Sequence, residues 1–173
     1  MKRIQQYLLG ALLLLSCAGT AYAEKTTTPE ALTPSMVQGD EPSNRQLTQL
    51  GLSGAELQQV HTGIWKASKG KKHIGYVVAS KAYAPHVKGF RGATPVLIYI
   101  DKSKTIKCFY ALPNNETGNY MSRAMEVLGK WKGKKTKSVA HMTPDAISGA
   151  TYSSNSLTQN VKAAIAAFNK YVK

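Results

Sequence analysis

A chain of 173 residues with 23 Lys and Arg against 9 Asp and Glu carries a formal charge of +14. Its 43% hydrophobic content suits a packed domain and excludes a collagen-like or wholly disordered chain. Only two cysteines, Cys17 and Cys108, exclude a disulfide scaffold and a cysteine-ligated iron–sulfur cluster.

Residues 1–23 read as a secretory signal peptide. Lys2 and Arg3 supply the positive start, Tyr7 to Leu15 the apolar stretch, and Ala21-Tyr22-Ala23 a small-x-small cleavage site. The protein is then exported, to the periplasm or the outer surface of the cytoplasmic membrane. Leu14-Leu15-Ser16-Cys17 offers a competing reading as a lipobox with a lipid anchor on Cys17; cleavage before Glu24 is preferred, because Leu15 is large for that lipobox position. Cleavage after Ala23 removes Lys2 and Arg3 but no acid, which lowers the charge from +14 to +12. It also leaves Cys108 alone, so stability must come from a packed core. No later segment is long and apolar enough to span a bilayer, and membrane contact would be peripheral or through a lipid. Such a charge favours acidic partners, anionic lipid surfaces or phosphorylated ligands. Export leaves no nucleic acid as a physiological partner.

Residues 24–43, rich in Thr, Pro, Ser and acids, form a flexible linker, and residues 44–173 form the domain. Leu47, Leu50, Leu52, Ala55, Leu57 and Val60 suggest a short helical region broken near Gly51, with Ser53 or Ser43 as cap. Val60 to Ala67 and His73 to Ser80, separated by Gly70-Lys71-Lys72, read as a hairpin. Pro95 to Ile100 is an apolar central strand, Asp101 to Lys104 a turn, and Thr105 to Ala111 the return strand with Ile106, Cys108 and Tyr110 on one face. Tyr120 to Leu128 is helical, and the run from Lys130 to Lys137 is a solvated basic loop. In the last helix Leu157, Val161, Ala164, Ile165, Phe168 and Val172 make an apolar stripe. The fold class expected is α+β, an antiparallel sheet packed against a C-terminal amphipathic helix and shorter helices.

Before that helix stands Asp145-Ala146-Ile147-Ser148-Gly149-Ala150-Thr151. Unpaired N–H groups and the helix dipole favour an anion at a helix N-terminus, so a phosphate esterified to a hydroxyl could be held there. Gly149 and Ala150 let a bulky group approach. The plainer alternative has Ser148 and Thr151 as caps and Gly149 in a turn. His61, His73, His86 and His141 lack metal-ligand spacing, and no Ser-His-acid or Cys-His grouping is present, so neither a metal site nor a catalytic residue is expected.

Three pieces in order resemble the FMN-binding domain family of exported subunits in the sodium-pumping quinone reductase and Rnf complexes. They are Gly89-Phe90-Arg91-Gly92 with the strand after it, Asn115-Glu116-Thr117-Gly118, and Asp145 to Thr151. The resemblance implies FMN as cofactor, joined through its phosphate to Thr151 by a separate flavin transferase that uses FAD and a metal ion. It also implies cofactor contacts from Asp145, Ser148, Gly149, Ala150, Glu116, Thr117, Gly89 and Gly92. Where many members continue Pro-Gly-Leu-Gly, this chain has Gly118-Asn119-Tyr120-Met121; Tyr120 or Met121 packs on the flavin ring or belongs to the core. The implied function is electron transfer between membrane-associated or extracytoplasmic redox partner proteins, rather than an enzyme with its own substrate site. The rival is a non-redox or reversibly FMN-binding module whose basic surface holds anionic lipid or polysaccharide.

Overall fold

A computed structural model describes residues 41–142 and 150–173. The residues read as a signal peptide, most of those read as a linker, and Asp145, Ser148 and Gly149 lie outside the described residues.

The described residues begin slightly before the expected domain boundary, with Pro42 buried and Ser43 capping helix α1 (Asn44–Gln49). Ser43 Oγ accepts from the Gln46 N–H while Gln46 Oε1 accepts from the Ser43 N–H, a reciprocal box that satisfies two terminal donors. Ser43 and not Ser53 is therefore the cap. The helical region stops at Gln49, and Leu57 and Val60 belong instead to strand β1 (Glu56–His61). Their three-residue spacing imitates a helix only because β1 is a largely exposed edge strand that needs no strict alternation.

A turn at Thr62-Gly63 divides the stretch read as one strand from Val60 to Ala67, so β2 runs Ile64–Lys69. Then follow β3 (Lys72–Ala79), β4 (Val96–Asp101) and β5 (Ile106–Ala111), paired in chain order and antiparallel throughout. Because side chains alternate along a strand, the sheet feeds two cores. Ile64, Val78 and Ile98 face one, Trp65, Val77 and Leu97 the other, where α1 adds Leu47 and the segment after it adds Leu50 and Leu52.

Ile106, Cys108 and Tyr110 do not share a face. The register slips between Tyr99↔Cys108 and Ile100↔Ile106, leaving Lys107 as an extra residue in β5. This bulge sends Ile106 and Phe109 to the first core while Cys108 and Tyr110 border the second.

The larger core is closed by α2 (Gly118–Gly129), α3 (Thr136–His141) and α4 (Thr151–Tyr171). The expected stripe of α4 is buried from Leu157 to Phe168, with Val172 just past the helix end. The basic run is not a free loop. Trp131 and Thr136 are buried, the Gly133 N–H donates to Ile106 O and the Ile106 N–H donates to Lys134 O, so the run covers the β5 edge and then starts α3.

A meander places alternate turns at opposite ends of the sheet. The β3–β4 connection, the segment after β5 and the start of α4 meet at one end. The β2–β3 and β4–β5 turns lie at the other, where Lys104 Nζ donates to Val172 O at 2.7 Å and Thr136 Oγ1 bonds Asn169 Oδ1 at 2.7 Å.

Candidate functional site

Lys88 and Ala93 pair, and the Gly89 N–H donates to Gly92 O at 2.8 Å, so Phe90 and Arg91 stand at the tip of a tight turn. Gly92 has φ +148°, a region that favours glycine. Gly89 is required for a different reason: a Cβ there would lie 2.7 Å from Glu116 Oε1 and 3.1 Å from Ser156 Oγ.

Glu116 holds the site together. Its loop is set by Asn114, whose Oδ1 accepts from the Glu116 N–H and whose Nδ2 donates to Leu112 O. Oε1 then accepts from the Arg91 N–H at 2.6 Å, and Oε2 accepts from Ser153 Oγ at 2.5 Å. One carboxylate thus joins the 89–92 turn, the loop after β5 and the first turn of α4.

Behind it runs a buried polar chain. Ser156 Oγ donates to Ser153 O and accepts from Thr94 Oγ1, and Asn160 Nδ2 donates to Ser156 O and Thr94 Oγ1. Ser80 Oγ donates to Asn160 Oδ1 and accepts from the Val96 N–H. These side chains are buried but satisfied, so they fix α4 against the sheet without an unmet desolvation cost.

Thr151 is the exposed first residue of α4 and follows the buried Ala150. Ala150, the N-cap residue of this 21-residue helix, has no side chain that can cap it, and no acid occupies the first turn. The helix dipole therefore presents its positive end to an anion. Phe90, Tyr120, Ala150, Thr151, Tyr152 and Ser153 line a cleft of about 230 Å³ there. Phe90 is 73% exposed and Tyr152 72%, with their ring centroids 6.2 Å apart. Two large rings left in water beside a hydroxyl and a helix N-terminus form a surface for a flat, phosphorylated ligand. A larger cavity of about 300 Å³, between α1 and the start of β4, is lined by residues such as Pro42, Gln46, Leu97 and Leu112 and offers neither feature.

Residues 89–166 match the FMN-binding domain family. This chain carries an FMN-binding domain of that family. FMN is its cofactor, and the protein is a flavin-binding protein. No curated protein matches the chain significantly.

The residues of the domain fit FMN: the aromatic rings suit the isoalloxazine and the α4 terminus suits the phosphate. The cleft is smaller than the ~300–1,000 Å³ of a site that engulfs its ligand, so these six residues would hold only part of a flavin. Of the residues singled out in the sequence, Thr151 and Ala150 line the cleft, while Glu116, Gly89 and Gly92 build the clamp beside it. Thr117 occupies the N-cap position of α2, exposed and without a side-chain capping bond, and does not line the cleft. Tyr120 and Met121 divide: Tyr120 lines the cleft and Met121 is buried in the core. Phe90, Tyr152 and Ser153 are further site residues. Phe90 stands inside the first of the three pieces and Tyr152 directly follows the third, which is the signal in the sequence for both; nothing in the sequence distinguishes Ser153.

Proposed function

We propose that this protein is an exported electron carrier whose FMN is joined through its phosphate to Thr151. The observation that carries the reading is Thr151 itself, exposed as the first residue of a long helix and bordered by exposed aromatics in one cleft. An alcohol is a weak nucleophile, which is consistent with attachment by a separate flavin transferase that activates it. In that step Thr151 Oγ attacks the FMN-side phosphorus of FAD, the pyrophosphate bond breaks, AMP leaves and the hydroxyl proton is lost to solvent.

Bound FMN supplies one- and two-electron chemistry at a single ring. The chain's own residues bind and orient: Phe90, Tyr120 and Tyr152 offer ring surfaces, and Glu116 holds the turn and helix at fixed spacing. Lys88 and Arg91, exposed on the turn, add positive charge that favours an anionic ligand. A solvent-facing flavin edge suits exchange with redox partner proteins. The export reading rests on residues 1–23.

The test is intact mass and in-gel flavin fluorescence of the denatured chain, co-expressed with an exported flavin transferase shown to be active on another substrate. A gain of one FMN less water, absent in Thr151→Ala, is expected. No gain in the unaltered chain would reject covalent attachment in favour of reversible binding.

A further inference from the structure

We propose that the end of the sheet opposite the flavin cleft docks the protein on an anionic phospholipid bilayer. Three segments meet there. The β2–β3 turn and the β4–β5 turn share a cleft lined by Lys72, His73, Ile74, Tyr99, Asp101, Lys102 and Ser103. The 130–137 segment is tied to the second turn by Lys135 Nζ to Ser103 O at 2.6 Å, by the Thr136 N–H to Lys104 O and by the Thr105–Lys135 pairing. Residues 69–72, 101–107 and 130–137 together hold eleven lysines, no arginine and one acid, Asp101.

That acid is already committed. Its Oδ1 accepts from Ser103 Oγ and from the Ser103 and Thr105 N–H groups, and its Oδ2 lies 3.5 Å from Lys107 Nζ. Glu56, at the start of β1, and Glu126, on α2, border the region. Lys71, Lys72, Lys102, Lys132, Lys134 and Lys135 are all solvent-exposed.

The chemistry favours lipid headgroups over a protein partner. Protein interfaces concentrate aromatic residues and arginine at their centre and are depleted in lysine. Here the large exposed apolar side chains, Val60, Phe90, Tyr120, Tyr152 and Tyr171, all lie outside the three segments. Clustered lysines without apolar anchors match a diffuse sheet of negative charge. Position argues the same way: α4, about 30 Å long at 1.5 Å per residue, runs from Thr151 to the contacts with Lys104 and Thr136. A redox partner docked on the lysines would sit a helix length from the flavin, whereas a bilayer there leaves the flavin edge facing away and accessible. Among the described residues no helix is long and apolar enough to cross a membrane, so this contact is superficial.

The experiment is vesicle flotation of the flavinylated chain, purified as its host produces it, on phosphatidylcholine with and without phosphatidylglycerol, at low and high salt. Phosphatidylcholine alone gives the background from any anchor. Binding above it that requires phosphatidylglycerol and falls with salt is expected. The charge reversals Lys102→Glu, Lys132→Glu and Lys134→Glu together should lower partitioning about 100-fold. Lys69→Glu, Lys71→Glu and Lys72→Glu form an independent second set should the first fail to fold, and Lys81→Glu, exposed on the connection after β3, should stay near the unaltered protein. Binding that ignores phosphatidylglycerol, survives either folded set, or falls equally with Lys81→Glu would overturn the proposal. So would retention by polyglutamate without any vesicle binding, the signature of an acidic protein partner. Flavin loading is followed separately by mass, so failure of docking and failure of covalent attachment are read independently.

Discussion

Glu116 and Gly89 form the tightest steric and polar agreement in the site, and each should be intolerant for its own reason. Glu116→Ala leaves the Arg91 N–H and the Ser153 hydroxyl without their acceptor, which should cost about 1–3 kcal/mol in urea unfolding. Gly89→Ala forces a methyl against the same carboxylate and should cost about 1–3 kcal/mol by overpacking. Phe90→Ala and Tyr152→Ala behave oppositely. Both rings are mostly in water, so stability should stay within about 0.5 kcal/mol, while flavin fluorescence rises as ring contacts that quench it are lost. The sequence made Thr151, Glu116 and Gly89 legible through the three matched pieces. It could not show that Glu116 works through Ser153, because that contact joins residues 37 apart and depends on how α4 settles.

At the scale of elements, the buried polar chain and the bulge decide how helix and sheet register. Ser80→Ala leaves the Val96 N–H and Asn160 Oδ1 unmatched, and should cost about 1–3 kcal/mol; combined with Asn160→Ala, a double-mutant cycle should show a coupling of about 0.5–3 kcal/mol. Ser154 and Thr158 are the contrasting case, buried hydroxyls on successive turns of α4 with no partner among the described residues. Ser154→Ala and Thr158→Val should therefore be neutral or stabilising, by up to about 1 kcal/mol. Tyr83 ties the turn after β3 to the β1–β2 turn through its hydroxyl bond to Thr62 O. Burial, aided by the neighbouring Tyr171, pushes its pKa up to about 12 from 10.0. A folded pKa above the unfolded one means this stability is whole below pH 10 and is lost as pH rises towards 12, a loss that Tyr83→Phe should flatten in an alkaline unfolding series. α4 is legible because of its strong period and β4 because of its unbroken apolar run; β1 and α3 are not. β1 is an edge strand whose spacing imitates a helix, and α3 is six residues long at the end of a lysine run whose charge masked two buried positions. The Lys107 bulge has no local signature, since any residue can be the extra one.

The described domain is polarised along α4, with the candidate flavin cleft at one end and the lysines at the other. On the proposed docking and attachment, rising salt should weaken lipid contact and leave flavin loading untouched, because the first would be a screened surface attraction and the second a covalent bond. The alanine at the start of α4 carries a further meaning. On the proposed attachment, the phosphodiester becomes a cap that the Ala150 side chain cannot provide, and loading should raise stability by about 1 kcal/mol over the same chain without flavin. That difference is small in a test tube and large to a protease that samples opened molecules, since it changes their population several-fold. Chains that miss the transferase would be degraded first, so the pool that survives export would be enriched in finished carriers by the housekeeping of the compartment itself.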